Sequence, residues 1–233
     1  MALNNNQKED VIYASILADG KIHVAAKEGQ EGAVVREYET DDDKKNKTGV
    51  KSGRKSEMLY TELVGMITKV EFYEGGYGNN IQVTVQDGED KPVILSLSTI
   101  GNYGTDLMKK LINVDMKRYV KIVPFSFINE KNNKPVKGVT IFQVDEKTGK
   151  SEKAENYFFD KEAKKNLHGF PEIPAAIQKY IDAKKKAPNT KWKIYFAECD
   201  EFLTEQITKH FKLDEKKKAD GEDDFDNLDD GKM

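Results

Sequence analysis

The side chains in this sequence that could do chemistry are aromatics and lysines set in polar turns. The chemistry they suit is recognition of an unpaired polyanion. Tyr73 and Tyr77 stand in the glycine-rich run YEGGYGNN, and Lys131 and Lys134 stand in NEKNNK with Lys137 just beyond. Tyr119, Lys121, Val123 and Phe125 share one parity of an apolar stretch, opposite Val120 and Ile122. Flat π-faces stack unpaired bases at about 1–3 kcal/mol each, while cations follow the phosphates. Tyr103, Phe127 and Lys69 extend the set, and Arg54 and Lys55 close a basic run that begins at Lys44. A ring on a strand more often packs than stacks, so the cluster carries the reading and no single member does.

A second feature is the run from Asp220 to Asp230, which holds seven carboxylates and no base, with Phe225 and Leu228 set among them. The whole chain has 41 acids and 38 bases, a net charge of −3, so bases outnumber acids outside this run. An acidic segment joined to a basic body can occupy the polyanion's surface or dock on a partner. Asp223, Asp224, Phe225, Asp226, Leu228, Asp229 and Asp230 are the docking candidates. A solubility segment without a partner is the plainer alternative.

Catalysis finds little support in the residues. His23, His168 and His210 show no metal-ligand spacing to one another or to Cys199, the single cysteine. There is no Walker loop, and GGYG and GNYG do not sit as phosphate cradles between a strand and a helix. The expectation is a protein that is not an enzyme and has no cofactor and no metal. No apolar run is long enough to cross a membrane, and MALNNNQKED lacks the pattern of a secretory signal. The chain therefore reads as soluble and cytoplasmic.

The elements that must position these groups are mostly strands. Val11 to Lys27 reads as a hairpin turning at Asp19-Gly20, and Ala33–Glu39 as a short strand. Thr40 to Glu57 has one apolar residue and reads as a mobile basic loop. Met58 to Tyr73 reads as one long strand, bent or bulged at Gly65. Ile81, Val83 and Val85 alternate with polar residues, and Val93–Ser98 forms a third strand. A short helix over Asp106–Asn113 precedes strands at Tyr119–Phe127 and Val136–Val144. Further on, Asn156–Phe159 reads as an edge strand, Pro174–Ala187 as a helix and Trp192–Phe196 as a strand. Asp200–Phe211 reads as a helix capped by Asp200.

A three-strand meander, a short helix and a two-strand hairpin follow the order of an OB-fold. The fold expected is mainly β with added α: a five-stranded OB-fold barrel with an N-terminal hairpin and C-terminal helical elaborations. Residues 1–10 form an extension, 11–213 the domain and 214–233 a disordered acidic tail. An OB-fold binds along its second and third strands, between the loops after strands one and four. Here those loops are Tyr73–Asn80 and Asn129–Lys134.

On LVGMITKVEFYEGGYGNNIQVTVQDG, VKIVPFSFINEKNNKPVKGVTIFQ and the acidic EDDFDNLDD, the chain resembles phage-type and bacterial single-stranded DNA-binding proteins. That resemblance implies a coat for exposed single strands in DNA replication, recombination and repair. It also implies an acidic tail that recruits replication or recombination enzymes and competes with DNA for the groove. By position it gives the groove role to Tyr73, Tyr77, Tyr119, Lys121, Phe125, Lys131 and Lys134. In many members an aromatic closes the chain, whereas here Phe225 is followed by eight residues. An OB-fold protein-interaction module, as a replisome adaptor or an inhibitor of a host enzyme, and an RNA-binding protein are the alternatives.

Overall fold

The Asp19-Gly20 dipeptide turns the chain between β1 (Ile12–Ile16) and β2 (Ile22–Ala25), which pair antiparallel with Ala14 opposite Val24. This computed structural model describes residues 11–47, 49–75, 78–145 and 148–213. Next come β3 (Val34–Tyr38), helix α1 (Asp41–Asn46) and β4 (Gly53–Tyr60). The polar stretch Thr40–Glu57 is thus a helix and most of a strand, where a loop was expected. Thr40 caps α1 through a reciprocal pair of bonds with Asp43. Hydrogen bonds from Ser52 and Thr40 hold the Asp43 carboxyl well below the usual carboxylate range.

The long strand expected over Met58–Tyr73 is two strands. β4 ends at Tyr60, and β5 (Leu63–Gly75) starts after Thr61-Glu62. β5 pairs with β6 (Gly78–Gln86), and the register slips between Ile67 and Lys69. The slip is a bulge, and it reverses which parity faces inward. Gly65 and Ile67 are buried before it and Val70 after it, while Val64 is exposed. Gly65 itself has φ +149, and a Cβ there would lie 2.6 Å from the Gln86 carbonyl oxygen. The bulge therefore falls two to four residues beyond Gly65, where it was expected, and Gly65 instead accommodates the close approach of Gln86.

β7 (Val93–Ser98), α2 (Asn102–Leu111), β8 (Tyr119–Asn129) and β9 (Lys134–Val144) complete the expected order. α2 begins four residues earlier than its apolar spacing suggested. Beyond it lie β10 (Ser151–Lys153), the two-residue pair β11 (Phe159–Asp160) and β12 (Lys165–Asn166), α3 (Ala175–Asp182) and α4 (Asn189–Phe211). Trp192–Phe196, expected as a strand, is the start of α4, and Asp200 lies inside that helix instead of capping it. The edge strand expected over Asn156–Phe159 is reduced to β11.

The main sheet runs β10-β9-β8-β5-β6-β7-β1-β2-β4-β3. It is mixed, because β1 lies parallel to β7 while its other pairs are antiparallel. It is also not closed. In a five-stranded barrel β7 would pair with β9; here β1 takes that edge of β7.

One core holds the strands and helices together. Ile81, Val83, Val85, Leu95, Val120, Ile122, Val139 and Ile141 meet Leu107, Met108 and Leu111 of α2, all nearly inaccessible. Two polar groups fasten α2 to β9. The Asp106 carboxylate accepts from Val139 N at 2.8 Å and from Lys110 Nζ at 2.7 Å, and Lys110 also donates to the Val139 carbonyl. α4 buries Tyr195, Cys199, Leu203 and Ile207 at helical spacing, against α2 and an aromatic group of Phe158, Phe170 and Phe202.

Candidate nucleic-acid interface

Register fixes which side chains share the outer face of β5, β6 and β7. Tyr73, Asn80 and Ser98 form one row; Glu71, Gln82 and Ser96 a second; Lys69, Thr84 and Ile94 a third, continued by Tyr13 of β1. These rows lie opposite the buried parity of Ile81, Val83 and Val85, so the face is polar with apolar points. Tyr73 is half-buried, its ring near Gly75, where a Cβ would approach it to 3.2 Å. Lys69 is 62% exposed but bridged to Glu71 at 2.8 Å.

A projecting hairpin carries the densest group of expected residues. β8 pairs with β5 only over Tyr119–Ile122, whereas its pairing with β9 runs on to Asn129 opposite Lys134. Asn side chains shape its tip: Asn129 accepts from Lys131 N at 2.9 Å, Asn132 accepts from Lys134 N at 3.1 Å, and Asn133 takes φ +53. Phe125 and Phe127 lie on one face of the hairpin with ring centroids 5.9 Å apart. Phe127 is 54% and Ile128 is 55% exposed. Phe125 is half-buried across Gly138, where a Cβ would meet its ring at 2.8 Å. Lys131 and Lys134 are exposed, and Lys137 is half-buried opposite Ser126.

Other expected members are elsewhere. Tyr103 lies in the first turn of α2, 9% exposed, and burial pushes its phenol up, so it offers no face for stacking. Tyr119 and Lys121 sit at the opposite end of β8 from the hairpin tip, beside Met66 and Val64, and Lys121 bridges to Glu62 at 3.2 Å. Arg54 and Lys55 are on β4, separated from β7 by β1 and β2. Arg54 pairs with Glu37 at 3.3 Å, and Lys55 lies 5.4 Å over the Tyr38 ring. Tyr77 and the docking candidates from Asp223 to Asp230 lie outside the described residues.

Sequence reasoning passed over one polar network. Glu57 of β4 accepts from Arg36 Nε at 2.8 Å and Nη2 at 2.7 Å, and its carboxylate is 2.7 Å from His23 Nδ1. His23 Nε2 faces both Asp19 carboxylate oxygens at 3.1 Å. Burial works to raise Glu57, and hydrogen bonds from Arg36 and His23 more than offset it, so its carboxyl lies below its ordinary range. Asp19, His23 and Arg36 also border an open depression of about 710 Å³ with Lys51, Arg54 and Leu59. The spacing of Asp19 and His23 around a turn was the only hint in one dimension. Among the described residues no three His, Cys, Asp or Glu side chains gather to hold a metal ion, and no helix is long and apolar enough to cross a membrane.

No family model, curated protein or solved structure matches this chain.

Proposed function

We propose that this chain is a non-enzymatic, sequence-tolerant single-stranded DNA-binding protein, and that β5 to β9 with α2 form an opened OB-type unit. The strand order β9-β8-β5-β6-β7, with a helix between the third and fourth of these in sequence, supports that unit. The observation that carries the function is the β8–β9 hairpin. It holds exposed Phe127 and Ile128 beside exposed Lys131 and Lys134, beyond the stretch of β8 that pairs with β5. Bases stack on Phe127, with Tyr73 across the polar face, and the hairpin lysines neutralise phosphates. The acidic run Asp220–Asp230 regulates access and recruits replication or recombination enzymes.

The test is an anisotropy titration of fluorescent oligo-dT, with duplex DNA and RNA as competitors, at low and moderate salt. Tight binding that prefers the single DNA strand and weakens with salt is expected. Absence of binding by the full chain and by a chain lacking residues 220–233 would overturn the reading. A protein-interaction module would then take its place, favoured by the edge strand β3 with Val34 and Val35 exposed.

A further inference from the structure

We infer that a bound single strand continues from the β-face onto the corner between α3 and α4, which forms a second contact surface. The inference rests on the single-strand reading above. From Lys179 to Lys193 the sequence holds six lysines and one acid, Asp182. Lys184, Lys185, Lys186 and Lys193 are exposed, and none of them is in an ion pair among the described residues.

Lys184, Lys185 and Lys186 follow the C-terminus of α3, where cations are favoured, but Lys191 and Lys193 run against the local electrostatics. The start of a helix carries partial positive charge and favours acids. α4 has no acid in its first turn and no side-chain cap, and it begins with lysines at 191 and 193. A sequence that breaks a local rule without a compensating partner in the fold has the signature of a functional site. The missing partner has to be anionic.

An aromatic platform lies on the same corner. Phe196 is 55% exposed and stacks on Trp192, with centroids 5.5 Å apart and planes 21° from parallel. Trp192, Phe196 and Asp200 recur every fourth residue, and so follow one stripe of the helix. The Asp200 end of that stripe lies against Thr99, whose hydroxyl donates to the Asn79 carbonyl at 3.2 Å. Asn79 belongs to β6, next to the row of Tyr73, Asn80 and Ser98. At about 1.5 Å per residue, Phe196 is only about 6 Å along α4 from that junction. A strand leaving the β-face at Ser98 and the exposed Ile100 therefore meets Phe196 first and the lysines next.

The test compares oligo-dT of about 8 and about 24 nucleotides, lengths within and beyond the range of one OB-sized site. It uses the full chain, a Lys185→Glu/Lys186→Glu/Lys193→Glu variant and a Phe196→Ala variant. Both variants should bind the short oligonucleotide within about twofold of the parent. The lysine variant should bind the long one at least about tenfold more weakly, with a salt slope shallower by about 2, near 0.7 per lost phosphate contact. Phe196→Ala should weaken the long oligonucleotide by about fivefold or more. Melting temperatures at or above the parent's for the lysine variant show that the fold is intact. Parent-like affinity and slope on the long oligonucleotide would overturn the inference. So would tighter binding, which would assign the corner to the acidic run Asp220–Asp230. A parent that binds neither length would overturn the single-strand reading itself.

Discussion

Ser126 donates its side-chain hydroxyl to the carbonyl oxygen of Ala18 at 3.0 Å, joining positions 108 residues apart. Through this bond the turn between β1 and β2 props the base of the β8–β9 hairpin. The open sheet coils until its N-terminal strands touch the element that would hold DNA. Gly20 makes the approach possible: it takes φ +75, and a Cβ on it would lie 2.7 Å from Ser126 N.

Gly20→Ala should therefore destabilise the protein by about 2 kcal/mol, combining a left-handed backbone with a steric clash. Urea denaturation measures the loss. Hydrogen exchange should also quicken from Phe125 to Val136, the part of the hairpin that loses its prop. Unchanged stability with unchanged exchange would show that the turn does not support the hairpin.

Glu57 ties β4 to β2 and β3 through His23 and Arg36. Glu57→Gln should cost about 2 kcal/mol near neutral pH, below the range for a fully buried pair because Arg36 keeps 35% exposure. The folded Glu57 carboxyl lies below its ordinary 4.5. A lowered folded value gives stability that is complete above the unfolded value and is lost as pH falls through the folded one. The parent should thus lose this contribution on acidification below about pH 4.5, and the variant should lack that part of the slope. Denaturation midpoints across this range check the sign.

Asp106 and Lys110 pin α2 to Val139 of β9. Asp106→Ala leaves the Lys110 ammonium, 11% exposed, without its counter-ion and should cost about 3 kcal/mol. Adding Lys110→Met should recover part of that loss, because two apolar groups leave no buried charge. A double-mutant cycle by chemical denaturation measures the coupling.

The alternation of Ile81, Val83 and Val85 made β6 legible, and the Asp19-Gly20 turn made the first hairpin legible, because in both the local pattern and the fold agree. β4 was hidden. Arg54, Lys55 and Glu57 look solvated in one dimension, yet Glu37, Tyr38 and Arg36 on β3 satisfy them across the ladder. Trp192–Phe196 alternates over five residues, but burial at Tyr195, Cys199, Leu203 and Ile207 needs a window of thirteen to show its helical period. Tyr103 was unreadable as core because the elements that bury it come from distant parts of the chain. The turn NEKNNK was legible as a turn, because asparagines in that pattern dictate a tight reversal on the surface.

The hairpin allows stacking to be separated from packing. Phe125 rests across Gly138 and is half-buried, so Phe125→Ala should lower stability as well as affinity. Phe127 is 54% exposed, and its loss opens no core cavity. Phe127→Ala should therefore keep the parent's melting temperature while weakening oligo-dT binding by about 1–3 kcal/mol, the range for one stacked base. Lys131→Ala and Lys134→Ala should act differently, each reducing the salt slope by about 0.7 and weakening all single-strand sequences alike. Calorimetry and anisotropy on the same samples distinguish these outcomes. Full affinity in Phe127→Ala, with a slope unaltered by the lysine changes, would remove the hairpin from the binding surface.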